Sequence, residues 1–213
     1  MKPEAYFHSN NQMYLDEKNK SKGRIKATPG IWIEGKTYWL WDASEKLIPN
    51  EAISIQIRQE HKHSKIIYFE IFVRNHLATP RNVKLIMMHH YDVTGLDHLA
   101  FVSPTDNVIF HLADDIVHLV NGHCRGDGME QRTIQPLWNL YSDRLWNNSE
   151  KGVLKYQPMG KGATASIFTL NMNIDSKETC ECSSWVISSR SKLEVMGLNH
   201  VLLKNTLAFP NEK

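Results

Sequence analysis

The sequence contains no apolar run that approaches the roughly 18 consecutive residues a membrane-spanning helix requires. A helical membrane span is therefore excluded. Cysteine is scarce: Cys124, Cys180 and Cys182 are the only three. An odd number this small cannot staple a secreted scaffold and reads as free thiols in a reducing compartment. Net charge is also nearly absent, at +2 from 25 basic and 23 acidic residues. So weak a bias gives no argument for nucleic acid as a partner. The opening "MKPEAYFHSNNQ" has a lysine but no apolar segment after it, so no secretory leader is read and a cytoplasmic location is expected.

The common catalytic signatures are missing too. No GxSxG, HExxH or GxGxxG occurs. "MGKGAT", 159–164, superficially resembles a phosphate loop, but a P-loop needs GxxxxGK[ST] between a strand and a helix. Here Gly162 follows the lysine, and a strand pattern follows the glycine. No cofactor is implied. One local bias remains, the basic stretch "KNKSKGRIK", 18–26. It lacks the interleaved aromatics that stack bases in single-strand binders and reads as a solvated hairpin loop.

What the sequence has in quantity is alternation. Ile53, Ile55 and Ile57 point one way while Ser54, Gln56 and Arg58 point the other. Ile67, Phe69, Ile71 and Val73 oppose Tyr68, Glu70 and Arg74, and Phe168, Leu170, Met172 and Ile174 oppose Thr169, Asn171 and Asn173. Period two over such lengths is the signature of strands with one buried and one wetter face. Turn chemistry agrees. In "IWIEGKTYWLW", Gly35 supplies the positive φ of a two-residue primed turn. "HKHSK", 61–65, and "GKGA", 160–163, read as further hairpin tips, and "GHCRGDGMEQ", 122–131, reads as loop. Only "PLWNLYSDRLWNN", 136–148, shows helical spacing, with Pro136 at a plausible first turn. It is expected to form one short helix capping an open end of the core.

An all-β chain of 213 residues must bury its apolar faces sheet on sheet. The expected architecture is a two-layer antiparallel β-sandwich of about ten strands with one short helix. Residues 1–213 read as a single domain, with 1–28 a peripheral basic hairpin or arm.

Two stretches, "FEIFVRNHLATPRNVKLIMMHHY" and "IDSKETCECSSWVISS", carry a resemblance. The first joins two alternating strands through a loop with Pro80; the second leads from a polar turn into a strand bearing Trp185 and Ile187. Both resemble pieces of bacterial Ig-like sandwiches and of the larger accessory sandwich domains of carbohydrate-active enzymes. The resemblance implies a fold and no catalytic residue, because such domains share no single activity.

Candidate sites follow from residue type and spacing. His89 and His90 are neighbours on a strand whose two faces are both apolar, so they point to opposite layers and cannot chelate one ion. Each is expected to be hydrogen-bonded where the strand leaves the core. His61 and His63 share a face, as zinc ligands sometimes do, but sit at a hairpin tip without a nominated third ligand. Cys180 and Cys182 also share a face; only His123 and Cys124 could complete a site, and their adjacency is poor for it. The cysteines are therefore expected to pack as small apolar residues, and no metal site is assigned. Arg125-Gly126-Asp127 matches an adhesion tripeptide but serves a turn equally well. Asp92, Asp97, His98, Asp114 and Asp115 lie in or near loops, where paired aspartates are usually turn formers. The tryptophans are numerous, six in all. Trp39 and Trp41, and Trp138 with Trp146 among Asn139, Asn147 and Asn148, would form flat apolar platforms for sugar rings if exposed.

These readings favour a non-enzymatic binding module. Its expected partner is a protein or a carbohydrate, met through an aromatic surface built on Trp39, Trp41, Trp138 and Trp146 or through an edge strand. A carbohydrate-active hydrolase or isomerase with an Asp/His cleft is the alternative. An assembly protein, homo-oligomeric through its edge strands, is the third.

Overall fold

The computed structural model describes residues 24–92 and 97–208. Two antiparallel sheets face each other. The smaller has five strands in the order β11 (Gln131–Pro136), β15 (Thr164–Ile174), β6 (Arg81–Tyr91), β1 (Ile25–Ile33) and β2 (Lys36–Trp39). The larger runs β14 (Met159–Lys161), β7 (Leu99–Ser103), β8 (Val108–Ala113), β9 (Ile116–Cys124), β16 (Thr179–Ser189), β5 (Ile66–Asn75), β4 (Ile53–His63) and β3 (Glu45–Ile48). The two-residue β10 (Asp127–Gly128) pairs with β9 beside this path. The all-β sandwich expected from alternation is the fold observed. Its sixteen strands among the described residues exceed the expected ten. Several of the additional ones, such as β10, β12 (Trp146–Asn148) and β13 (Val153–Leu154), are too short to show a period.

The alternating sets face one another across the sandwich. Ile53, Ile55, Phe69, Ile71 and Val73 from the large sheet meet Val83, Leu85, Met87, Phe168, Leu170 and Ile174 from the small one. The outer faces are apolar as well. Outside the small sheet, Ile86, Met88, Ala165 and Ile167 are covered by Leu140, Leu145 and Leu154. These three come from segment 137–154, which contains β12 and β13. Outside the large sheet, Tyr68, Phe110, Leu119 and Trp185 are covered by α1 (Lys192–Ala208), whose Val195 is fully buried. Asn199 on the same helix accepts hydrogen bonds from Trp185 Nε1 (2.9 Å) and Asn121 Nδ2 (3.1 Å). The result is four layers: helix, large sheet, small sheet and an irregular cover.

Turns show why these strands end where they do. Glu34 and Gly35 take φ of 45° and 88° between β1 and β2, the primed two-residue geometry expected of Gly35. Asp114 and Asp115, at 49° and 60°, make the same kind of turn between β8 and β9. Arg125 and Gly126, at 50° and 90°, turn β9 into β10. "HKHSK" is the β4–β5 tip, as expected.

Other local expectations are corrected. Segment 136–148 forms two 3-10 turns, Leu137–Tyr141 and Asp143–Leu145, followed by β12, instead of one helix. The backbone is already extended at Ser142, with φ −143°, so no continuous helix passes through. "GKGA" is not the tip of a paired hairpin, because β14 pairs with β7 in one sheet and β15 with β6 and β11 in the other. Gly162 carries the chain between layers. "GHCRGDGMEQ" is largely strand: Gly122, His123 and Cys124 continue β9. Of the basic 1–28 arm, 24–28 are described, and 25–28 begin β1; residues 1–23 lie outside the described residues.

Gly122 is required by packing. A Cβ there would lie 2.8 Å from the Phe168 ring and 2.9 Å from the Ser183 carbonyl, both held within the core. Replacing Gly122 by alanine is expected to destabilise the protein by about 1–3 kcal/mol through overpacking. Urea unfolding of the variant measures this, and a loss within error of zero would mean the two sheets approach less closely at Gly122 than described.

Candidate functional site

Three of the four tryptophans singled out in the sequence converge. Trp39, Trp41 and Trp146 line a hollow of about 310 Å³ on the outside of the small sheet, floored by Leu140 and Leu145, with Thr37 and Ser142 at its rim. That volume lies at the lower end of the roughly 300–1,000 Å³ of small-molecule sites. The rings of Trp39 and Trp41 are 5.7 Å apart and tilted by 38°. Trp41 lies just beyond β2 and is 43% exposed. Trp138 belongs to the same covering segment and is 65% exposed, but does not line the hollow. The expected Trp138–Trp146 pair is thus divided, with Trp146 at the hollow and Trp138 outside its lining. Asn139 instead donates to Gln135 Oε1 (3.1 Å), and Asn148 Oδ1 accepts the Lys151 amide (3.0 Å).

The rings are held from behind. Gly30 sits directly opposite Trp39 across β1–β2. A Cβ at Gly30 would meet the Trp39 ring at 2.7 Å, so glycine is what lets the indole lie against the backbone. Trp146 packs on Trp32 (6.4 Å between rings), and Trp32 Nε1 donates to the Ser149 carbonyl (2.8 Å). Thr37, Ser142 and the two leucines carried no sequence signal; only the cover over the sheet brings them to the tryptophans.

A second, larger hollow of about 600 Å³ lies outside the β3–β4–β5 part of the large sheet. Its walls include Lys46, Arg58 and Arg74, with Arg58 5.0 Å above the Phe72 ring. Long flexible side chains, Lys46, Arg58 and Arg74 among them, form part of it, so it is a less fixed surface than the indole hollow.

The histidine and aspartate candidates fall into a different arrangement. His98 Nδ1 lies 2.9 Å from the Gly162 carbonyl, which can only accept, so this nitrogen carries the proton. His98 Nε2 then accepts from His111 Nδ1 (2.9 Å), and His111 Nε2 accepts from the Ser166 hydroxyl (2.7 Å). A serine oriented by one imidazole, itself oriented by a second, is the order of groups found in nucleophilic hydrolases. Here all three side chains are buried, His98 most exposed at 3%. Among the described residues the relay is closed off from solvent, and it ties residue 98, just before β7, to β8 and β15. Among the aspartates, Asp114 accepts from Tyr91 (2.5 Å) and Asp92 accepts from the Arg24 amide (2.6 Å). Asp97 is exposed.

His89 and His90 point to opposite layers, as expected. Among the described residues the expected hydrogen bonds are absent at His89, both of whose ring nitrogens are unpartnered, and Nδ1 of His90 also lacks a partner. His89 instead stacks on Phe168 at 5.7 Å, deep in the interior, where no polar group faces it at bonding distance. His61 and His63 remain at the exposed hairpin tip, with His63 Nδ1 accepting the Lys65 amide (3.2 Å). In the Arg-Gly-Asp turn, the Arg125 guanidinium is tied to Glu178 (2.6 Å) and to the Asn173 carbonyl (2.9 Å).

The cysteines give the one cluster of metal-ligating atoms among the described residues: the sulfurs of Cys124, Cys180 and Cys182 all lie within 4.8 Å of one another. His123 does not join them; it faces the other side of β9, edge-on to Trp185 at 5.6 Å. Hydrogen bonds from Cys124 and Cys182, helped by the Arg125 charge, pull the Cys180 thiol well below its ordinary range. Those same bonds to Cys180 push the Cys124 thiol up.

A scan against protein-family models and a search of curated protein sequences both return no match to this chain.

The buried imidazoles make stability depend on pH. Burial, with His90 beside it, lowers His89 from 6.5 to about 3. Burial and the neighbouring His98 lower His118 to about 4. The folded protein thus holds them neutral where the unfolded chain takes up protons. Stability is full above about pH 6.5 and falls below it, by about 1.4 kcal/mol per pH unit for each such histidine. For His118 the loss continues to about pH 4 and for His89 to about pH 3. Urea midpoints between pH 7 and 4.5 are expected to show this slope. In His89→Phe the slope is expected to shrink by one histidine's share while the stack on Phe168 is kept. An unchanged slope would show that His89 does not titrate differently in the two states.

Proposed function

We propose that the protein is a binding module that takes a carbohydrate in the Trp39/Trp41/Trp146 hollow. The observation that carries this reading is the convergence of three indoles around one small hollow, two of them, Trp39 and Trp146, backed by packing that fixes the ring. Pyranose rings present an apolar face of C–H bonds, and an indole offers a matching flat apolar surface. Thr37 and Ser142 stand where hydroxyls of a stacked sugar need partners. Rings that are already immobile lose little entropy on binding, which favours affinity from a small contact.

The likeness of two stretches to accessory sandwich domains of carbohydrate-active enzymes is in keeping with this reading. Burial of the Ser166–His111–His98 relay favours binding over hydrolysis. The edge strands β2 and β3 have only four residues each and carry Lys36, Glu45 and Lys46. Short charged edges discourage strand pairing between molecules, which favours recognition through a face over assembly through an edge.

Oligosaccharides displayed on an array and then titrated in solution test the idea, with intrinsic tryptophan fluorescence as readout. A fluorescence change on binding is expected. Trp39→Ala or Trp146→Ala should weaken binding about tenfold or more, equivalent to about 1.4 kcal/mol. Trp138→Ala should change it little. Failure of every glycan to bind, or equal losses from all the tryptophan variants, would remove the proposal.

A further inference from the structure

All three cysteines of the chain meet at one point, although they come from two strands and lie 56 and 58 positions apart from Cys124. The register of β9 against β16 places Cys182 directly opposite Cys124. Cys180 lies two residues back on the same face, its sulfur 3.4 Å from that of Cys124. All three are buried, at 2% exposure or less. Packing alone explains a buried cysteine as a small apolar residue, but it gives no reason for every thiol in the chain to converge.

We propose that Cys124, Cys180 and Cys182 form a trithiolate site for a thiophilic closed-shell cation, copper(I) or zinc(II). A metal–sulfur bond of about 2.3 Å sets ligand sulfurs about 3.8 Å apart around a tetrahedral ion and about 4.0 Å apart around a trigonal one. The observed spacing, from 3.4 Å to no more than 4.8 Å, brackets both values. Adjustments of a fraction of an ångström would admit the ion. A trigonal ion needs nothing further. A tetrahedral one needs a fourth donor, and the Glu181 carbonyl, 3.6 Å from Cys124 Sγ, is close by.

On binding, three S–M bonds form, the thiol protons pass to solvent and no electron is transferred. Three thiolates around a monovalent or divalent ion leave excess negative charge; the nearby Arg125 guanidinium, paired with Glu178, offsets it only in part. The site is one residue beneath the surface. Cys124 ends β9 and is followed by the exposed Arg125–Gly126 turn, and Cys180 is the second residue of β16. Opening of that turn gives the ion an entry path. His61 and His63, on the distant β4–β5 tip, are a separate feature, so a response specific to thiolates is the proper readout.

The full chain, purified without a histidine tag and kept reduced without oxygen, is titrated with cadmium(II) as a spectroscopic stand-in, then with zinc(II) and copper(I) against competing chelators. A thiolate-to-metal charge-transfer band saturating at one ion per chain is expected. Cys180→Ser and Cys182→Ala should each lower affinity by at least about 100-fold. Thermal unfolding of the ion-free variants shows whether they remain folded. If they do not, the wild-type stoichiometry and band decide alone. The zinc and copper arms distinguish the four-coordinate from the three-coordinate form. The proposal is overturned if none of the three ions produces the band, or if the folded cysteine variants bind as tightly as the parent chain.

Discussion

Strand β6 is apolar on both of its faces, and the rest of the architecture answers to that constraint. Val83, Leu85 and Met87 turn into the sandwich, while Ile86 and Met88 turn out of it. Antiparallel sheets commonly leave one face to water. Here neither sheet can do so across its centre, because Trp185, Phe110 and Leu119 make the same demand outside the large sheet. Burying a side chain of this size contributes about 1.5–3 kcal/mol, so leaving either outer face bare would forfeit several such terms. The chain meets the need twice, with α1 on one side and the irregular segment 137–154 on the other. The tryptophan hollow results from the second solution. Where the cover stops short of β2, the indoles that fill the gap are left facing solvent.

The two covers differ in how legible they were. Alternation exposed the strands and their inner faces, and the two-sided character of β6 was readable from "VKLIMMHH" alone. The helix α1 was not. Its apolar residues are not gathered into a stripe: Leu193 and Val201 point to solvent at 86% and 53% exposure, while Val195 and Asn199 point inward. Gly197 in its middle weakens the pattern further. A local sign did exist in Ser191-Lys192-Leu193-Glu194, the spacing of a capping box, and Ser191 Oγ accepts the Glu194 amide (3.4 Å). Glu194 departs from that motif by pairing with Lys65 and Ser189, which fastens the helix start to the β4–β5 tip and to the end of β16. In 137–145 the opposite error arises. Leu137 and Leu140 have the i, i+3 spacing that 3-10 turns share with an α-helix, so that periodicity alone does not separate the two.

The polar groups of the interior were the least legible part, because each depends on which strands are neighbours across the sandwich. The histidines gather at one end of β9 and the cysteines at the other. His118 and Cys124 are six residues apart on that strand, about 20 Å. Between them Val120 and Gly122 keep the interior apolar, with Phe168 pressed onto Gly122. Sequence places His98 in a loop, His111 on a strand and Ser166 on another strand 55 positions later. Only the pairing of β7 with β8, and the stacking of β15 over them, aligns the three into a relay. The cysteine trio arises the same way, from one register between β9 and β16. A slip of one residue in that register would send Cys180 and Cys182 to the outer face and dissolve the cluster.

The indole hollow was legible in its residue types because large flat side chains are rare and stand out, and illegible in its rigidity. That rigidity is the property on which the proposed recognition depends. An exposed tryptophan on a mobile loop must be ordered before it can hold a ligand, and the ordering offsets part of the contact energy. Trp39 avoids this cost because its ring rests on Gly30, the residue directly opposite it in the β1–β2 hairpin. The turn at Glu34–Gly35 fixes that register, so the same short sequence that makes the hairpin also seats the ring. Trp146 is fixed by a separate route, through Trp32 and its hydrogen bond to Ser149. Two independent supports thus converge on one hollow, and the two rings they hold are the ones the proposed binding uses.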